Sequence, residues 1–248
     1  IQSTISFGST HQRNNLAFDV SVAAPYQTQF RCALVVCNGA RSNLTEPILI
    51  LASASPRRAQ LLEQIGVTFA QAPQEIDETP AAGESAEALA ERLALKKARA
   101  AYAVQEQSGC IVLGSDTVVV AGDAILGKPE HADDALRMLT LLSNRRHRVC
   151  TAVSLVSGNR SASRLSVTGV SFREIKLKEA QAYWETGEPH GKAGAYAIQG
   201  LGAVFIEQIS GSYSGVMGLP LYETAQLLAE FGIPILPPST ASQRACTR

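Results

Sequence analysis

Two adjacent arginines, Arg57 and Arg58, follow Pro56 in the stretch "LASASPRRAQLLEQIGV". Pro56 suits the first position of a helix and Ser55 suits its N-cap, while Leu61, Leu62 and Ile65 give a core-facing stripe that Gly66 can close. A helix start already carries roughly +0.5 charge, so each cation there costs a few tenths of a kcal/mol to about 1 kcal/mol. The placement becomes favourable once a polyphosphate docks on the same turn. Ser53, Ser55 and the first N–H groups of the helix would form an anion site, and guanidinium groups grip phosphate oxygens in a bidentate fork.

Other charges interrupt apolar patterns elsewhere. The ladder Ala86, Ala90, Leu93, Lys97, Ala101, Val104 runs in helical steps and is apolar except at Lys97. That lysine is either snorkelling at the rim of a buried stripe or aimed into a cleft. Asp116 breaks "IVLGSDTVVV", which otherwise reads as a buried strand; a carboxylate there needs a compensating partner. It is either the cap of a bulge at Gly114 or a metal ligand or general base. Lys128 leaves a strand at "GKP", Asp77 and Glu78 lie in "EIDETP", and Gln199 stands before "GLG", where glycines permit close approach. Alone, Lys128 and the acidic pair read as solvated turn residues. Together these groups supply phosphate-binding cations (Arg57, Arg58, Lys97, Lys128) and two acids, Glu78 and Asp116, able to hold a divalent ion. With no evident Ser/His or Cys/His nucleophile, they suggest phosphate chemistry in which water attacks.

The elements that must position these residues alternate. A strand at residues 48–51 leads into the helix from Pro56, and a longer helix over residues 85–105 starts at Ser85. Two strands follow around Gly122-Asp123, then a helix over 132–142. The segments "HRVCTAVSLV" and "RLSVTGVSFREI" read as paired strands, residues 178–186 as a short helix and 221–231 as the last helix. This order predicts an α/β fold with a mixed sheet, with Arg57 and Asp116 at the ends of neighbouring strands and a cleft at the sheet edge. Residues 1–46 are polar, with one acid, Asp19, in the first thirty; they read as an extension of unknown role, whether a transit segment, a non-native addition or a poorly ordered tail. Residues 237–248 read as a second tail, leaving 47–236 as the folded domain.

The 248 residues carry 46% hydrophobic and 18% charged side chains with zero formal net charge, so no global field draws the chain to nucleic acid or membrane. Five cysteines (Cys32, Cys37, Cys110, Cys150, Cys246) are scattered without metal-ligand spacing, which fits a reducing compartment and a cytoplasmic location.

At these residues the sequence resembles the Maf family of nucleoside triphosphate pyrophosphatases. The stretches are "LASASPRR", "EIDE", "ERLALKKA", "VLGSDTVVV", "ILGKP", "HRVCTAV", "GKAGAYAIQGLGA" and "GSYSGVMGLPL", in the family's order across residues 47–233. The resemblance implies an elongated, inosine-triphosphatase-like α/β fold whose two lobes flank a cleft, and commonly a homodimer. It implies hydrolysis of a nucleoside triphosphate to monophosphate and pyrophosphate with Mg²⁺ or Mn²⁺. In that reading Asp116 is the general base and, with Glu78, a metal ligand; Ser53, Arg58, Lys97 and Lys128 grip phosphates. Arg57, Thr117 and Gln199 match the positions that set substrate choice, and this set resembles the branch acting on dTTP and UTP. The sister branch takes 7-methyl-GTP. Gln199 offers both a donor and an acceptor, which suits a uracil or thymine edge.

Two alternatives differ in class. A kinase reading lacks a G-x-x-x-x-G-K-[ST] loop. A non-catalytic nucleotide-binding regulator of septum formation keeps the cations but does not require an ionised, metal-adjacent Asp116.

Overall fold

The computed structural model describes residues 48–105 and 109–236; the expected extension over 1–46 and the expected tail over 237–248 lie outside the described residues. Seven strands form one mixed sheet: β1 (Leu49–Leu51), β2 (Phe69–Gln71), β3 (Ile111–Ala121), β4 (Ala124–Leu126), β5 (Arg146–Ser157), β6 (Arg160–Phe172) and β7 (Ile206–Ser210). Their order is β2-β1-β3-β5-β6-β7, with β4 beside β3. The first strands pair in parallel and the rest antiparallel, so the predicted mixed α/β sheet is what forms. Among the described residues six α-helices accompany it: α1 (Pro56–Gln64), α2 (Ala86–Ala103), α3 (Ala132–Leu142), α4 (Leu177–Glu185), α5 (Tyr213–Met217) and α6 (Leu221–Glu230).

Side chains alternate between the two faces of a strand. Along β3 the even-numbered residues Val112, Val118 and Val120 meet α2. The odd-numbered residues face two separate cores on the opposite side. Ile111 and Leu113 join Leu61, Leu62, Leu227 and Leu228 at one end; Val119 joins Met138, Leu139, Phe172 and Tyr183 at the other. Between those cores the same face of β3 carries Ser115 and Thr117. The two expected lobes are these two cores sharing one set of long strands, and the polar middle of β3 lies between them.

Local expectations meet different outcomes. Gly66 ends α1 with φ +71°, and Ser85 caps α2 by accepting from Ala88 N at 3.2 Å. Ser55 occupies the N-cap of α1 without a side-chain capping bond. Val104, the last rung of the apolar ladder, lies beyond α2 and is exposed. Gly114 does not mark a bulge: β3 pairs with β5 in unbroken register from Val112↔Val156 to Val120↔Arg148. Its role is close approach, since a Cβ there would sit 2.2 Å from the Ala94 carbonyl oxygen and 2.7 Å from Ala98 N. Ala90, Ala94, Ala98 and Ala101 are all fully buried, and these small residues let α2 lie against the sheet.

Candidate functional site

One side of β3 is covered along its length by β5, and the other only in part. On that second side β1 pairs with residues 111–113 and β4 with residues 119–121. The stretch from Gly114 to Val118 has no strand partner there among the described residues. At about 3.3 Å per residue the opening between Leu113 and Val119 spans roughly 20 Å. Asp116 is therefore not at a strand end, as the sequence suggested. It sits mid-strand in a gap between β1 and β4, where both faces of β3 are reachable, and β3 is interior to the sheet rather than at its outer edge.

The gap opens into a cleft of about 980 Å³. All nine residues named from the sequence line it: Ser53, Arg57, Arg58, Glu78, Lys97, Asp116, Thr117, Lys128 and Gln199. Asp116, 7% exposed, faces α2, and the partner it required is Lys97, 8% exposed and 2.5 Å away through Nζ–Oδ1. The same ammonium lies 2.6 Å from Glu78 Oε1, while Lys128 Nζ lies 3.3 Å from Glu78 Oε2. Burial alone would raise the Glu78 carboxyl pKa, but the Lys97 contact and the Lys128 charge outweigh it and lower it. Asp77, by contrast, turns outward and accepts from Thr79 N.

The arginines at the start of α1 are held by main-chain acceptors on the α5 segment. Arg58 Nε donates to the Gly218 carbonyl at 2.8 Å, and Arg57 Nε donates to the Met217 carbonyl at 3.2 Å. Gly218 has φ +118°, a conformation that favours glycine, and its carbonyl also accepts from Ser115 Oγ at 2.9 Å. Arg58 Nη1 donates to Ser53 Oγ, which also accepts from Ser55 N, so the single hydroxyl proton of Ser53 remains for the cleft. Desolvation lowers the Arg58 pKa, opposed by the charges of Asp116 and Glu78. On the sheet floor Thr117 contacts Thr151 Oγ1 at 3.1 Å, and Thr151 also donates to the Gly215 carbonyl at 2.7 Å.

Gln199 projects from a loop fastened on both sides. Tyr183 OH accepts from Ala197 N at 3.1 Å and donates to Glu188 Oε1, and the Glu188 carboxylate accepts from Leu201 N and Gly202 N. A Cβ on Gly200 would fall 2.2 Å from Glu188 Oε2, which explains the glycine after Gln199. Sequence reasoning missed Lys192 and Tyr196, both in the cleft wall. The signal for Lys192 was present, as the one basic residue of "GKAGAYAIQGLGA".

The cleft wall carries five basic side chains (Arg57, Arg58, Lys97, Lys128, Lys192) and three acidic ones (Glu75, Glu78, Asp116). Such a surface can take a multiply charged anion beside a carboxylate. No helix among the described residues is long and apolar enough to cross a membrane.

Several known proteins are similar to this chain over most of its length. The dTTP/UTP pyrophosphatase of Pseudoalteromonas atlantica is 50% identical over 188 residues, covering 75% of this chain and 98% of the relative. That of Alkalilimnicola ehrlichii is 52% identical over 191 residues (75% and 94%), and that of Vibrio vulnificus 51% over 183 residues (74% and 98%). The Staphylococcus aureus Ham1 protein is similar at 18% identity and a TM-score of 0.34, covering 52% of this chain and 72% of that one, too distant to inform the site. The Maf-like protein family matches residues 48–231, a span that contains every residue of the cleft just described, and the chain belongs to that family.

Proposed function

We propose that this chain is a nucleoside triphosphate pyrophosphatase that takes dTTP and UTP and cleaves between the α- and β-phosphates, releasing monophosphate and pyrophosphate. The observation that carries the reading is Asp116: a buried carboxylate in a stretch of β3 that is bare on one side among the described residues, facing a cleft with an excess of cations. The names of the relatives, all dTTP/UTP pyrophosphatases at about half identity, support the substrate class.

In this reading the phosphates settle against the first turn of α1, where N–H groups without helical partners, Ser53 Oγ–H and the Arg58 guanidinium converge. Asp116 accepts the proton of the attacking water, and Lys97 holds that buried carboxylate in place by a direct ion pair until substrate arrives. Lys128 and Lys97 add positive charge where the leaving pyrophosphate develops its own. Thr117 and Gln199 line the remaining wall and meet the nucleoside, while Arg57, beside Arg58, reaches both the phosphates and that wall.

The residues present also fit Mg²⁺ or Mn²⁺. Glu78 and Asp116 converge on one point, because a single ammonium contacts both. No group of three or more His, Cys, Asp or Glu side chains suited to a metal occurs among the described residues. Two carboxylates completed by substrate phosphate oxygens are the ligand set these ions accept. A bound ion would neutralise phosphate charge during cleavage. We extend the reading to a homodimer on the family resemblance, which sedimentation of the purified chain would test.

With Mg²⁺ or Mn²⁺, the protein is expected to convert UTP and dTTP to monophosphate plus pyrophosphate, and a chelator is expected to stop turnover. Release of orthophosphate and a diphosphate would refute the cleavage site. Asp116→Asn should lose about 10²- to 10⁴-fold in turnover while still binding nucleotide. Binding without turnover in the unaltered protein would favour the non-catalytic regulator instead.

A further inference from the structure

The five cations of the cleft fall into two groups. Lys97 and Lys128 are paired with the carboxylates of Asp116 and Glu78. Arg57, Arg58 and Lys192 are not: among the described residues none of the three forms a salt bridge, and each is tethered to a main-chain carbonyl, of Met217, Gly218 and Glu188 respectively. The Glu188 carboxylate is no substitute partner for Lys192, since Tyr183 OH, Leu201 N and Gly202 N already occupy it.

We propose that Lys192 is a further phosphate-binding cation of this cleft, completing with Arg57 and Arg58 a wall that receives the triphosphate. This rests on the pyrophosphatase reading above. Three half-buried cations held directly only by main-chain carbonyls leave the cleft short of negative charge, and a polyanion supplies it to all three at once. Burial and then the nearby Arg57 charge lower the Lys192 pKa, and the Glu188 carboxylate opposes them only in part. The tether to Glu188 uses one of the three ammonium donors and leaves two for oxygen ligands. A lysine that served only to hold the loop would not need to line the cleft, and that loop is already fastened by Tyr183 and Glu188.

The test uses inorganic tripolyphosphate, which has neither base nor sugar, titrated calorimetrically into the full chain in chelator, so that no turnover intervenes. Lys192→Met is expected to weaken tripolyphosphate binding about tenfold or more, the scale of one lost charge-assisted hydrogen bond. Lys192→Arg, which keeps the charge, should stay within a few-fold of the unaltered protein. In steady state, Lys192→Met should raise KM for UTP and dTTP in parallel and leave their ranking intact. Unchanged tripolyphosphate affinity in Lys192→Met would overturn the assignment, as would equal losses in the Met and Arg variants, which would mark a tether. Weakened UTP binding with normal tripolyphosphate binding would also overturn it, by moving Lys192 to the nucleoside. Product analysis of the unaltered protein tests the pyrophosphatase reading separately.

Discussion

Lys97 is the residue on which the chemistry of the cleft turns. Its ammonium bridges Asp116 and Glu78, so one cation offsets a carboxylate in the sheet and another in a loop. With Asp116 and Lys97 each less than a tenth exposed, this is a buried pair, and removing one partner strands the other. Lys97→Met is expected to destabilise the fold by about 3 kcal/mol, the lower part of the range for a broken buried pair. Urea unfolding measures it, and a loss below about 1 kcal/mol would mean that water already compensates Asp116. Asp116→Asn acts differently. It leaves Lys97 with Glu78 as a partner, so its main loss should be in turnover rather than in folding.

At the scale of elements, the site depends on how closely α2 approaches β3. Gly114 sets that distance. With the Ala94 carbonyl and Ala98 N under 3 Å from where a Cβ would stand, the obstacle is helix backbone, which cannot swing aside as a side chain can. Gly114→Ala should therefore push α2 outward, destabilise by about 3 kcal/mol, the upper end of ordinary overpacking, and draw Lys97 off Asp116. Denaturant unfolding and kcat read the two consequences, and they are expected to fall together. Near-normal stability would show that α2 is not clamped at this glycine. The gap between β1 and β4 is the second element-scale device. A longer β1 would pair with residues 114–118 and close the cleft, and Pro56 in the first turn of α1 ends that option a few residues after Leu51.

The whole molecule adds a dependence on pH that lies away from the cleft floor. His147 is buried in the core that holds Met138 and Phe172, with its Nε2 2.9 Å from Tyr196 OH and its ring edge-on to Phe172 and Tyr196. Burial lowers its pKa from 6.5 to about 4, so the folded chain resists a proton that the unfolded chain accepts. Stability is then full above about pH 6.5 and is lost as pH falls toward 4. At 1.36 kcal/mol per unit the loss approaches about 3 kcal/mol. His147→Gln should flatten the unfolding midpoint across that window; an equally steep acid limb in the variant would assign it to other groups. Because Tyr196 lines the cleft, protonating His147 would disturb one wall of the site as well as the core.

Much of this protein is local in origin and therefore readable along the chain. Apolar spacing marked most of the helices and strands, though not β7 or α5, because burial of one face imposes a period of about 3.6 or 2 wherever the element sits. Charges that violated those periods, at Lys97 and Asp116, pointed to the site because a buried charge is tolerated only where something compensates it. What compensates them was beyond the sequence: Lys97 and Asp116 are 19 residues apart, and Arg58 and its Gly218 acceptor 160. The tertiary structure also decided that β1 and β4 share one side of β3 with a bare stretch between them, and that Lys192 forms no salt bridge, among the described residues. Those outcomes depend on strand order and register, which are fixed by packing between distant segments, and no periodicity within a segment carries that information.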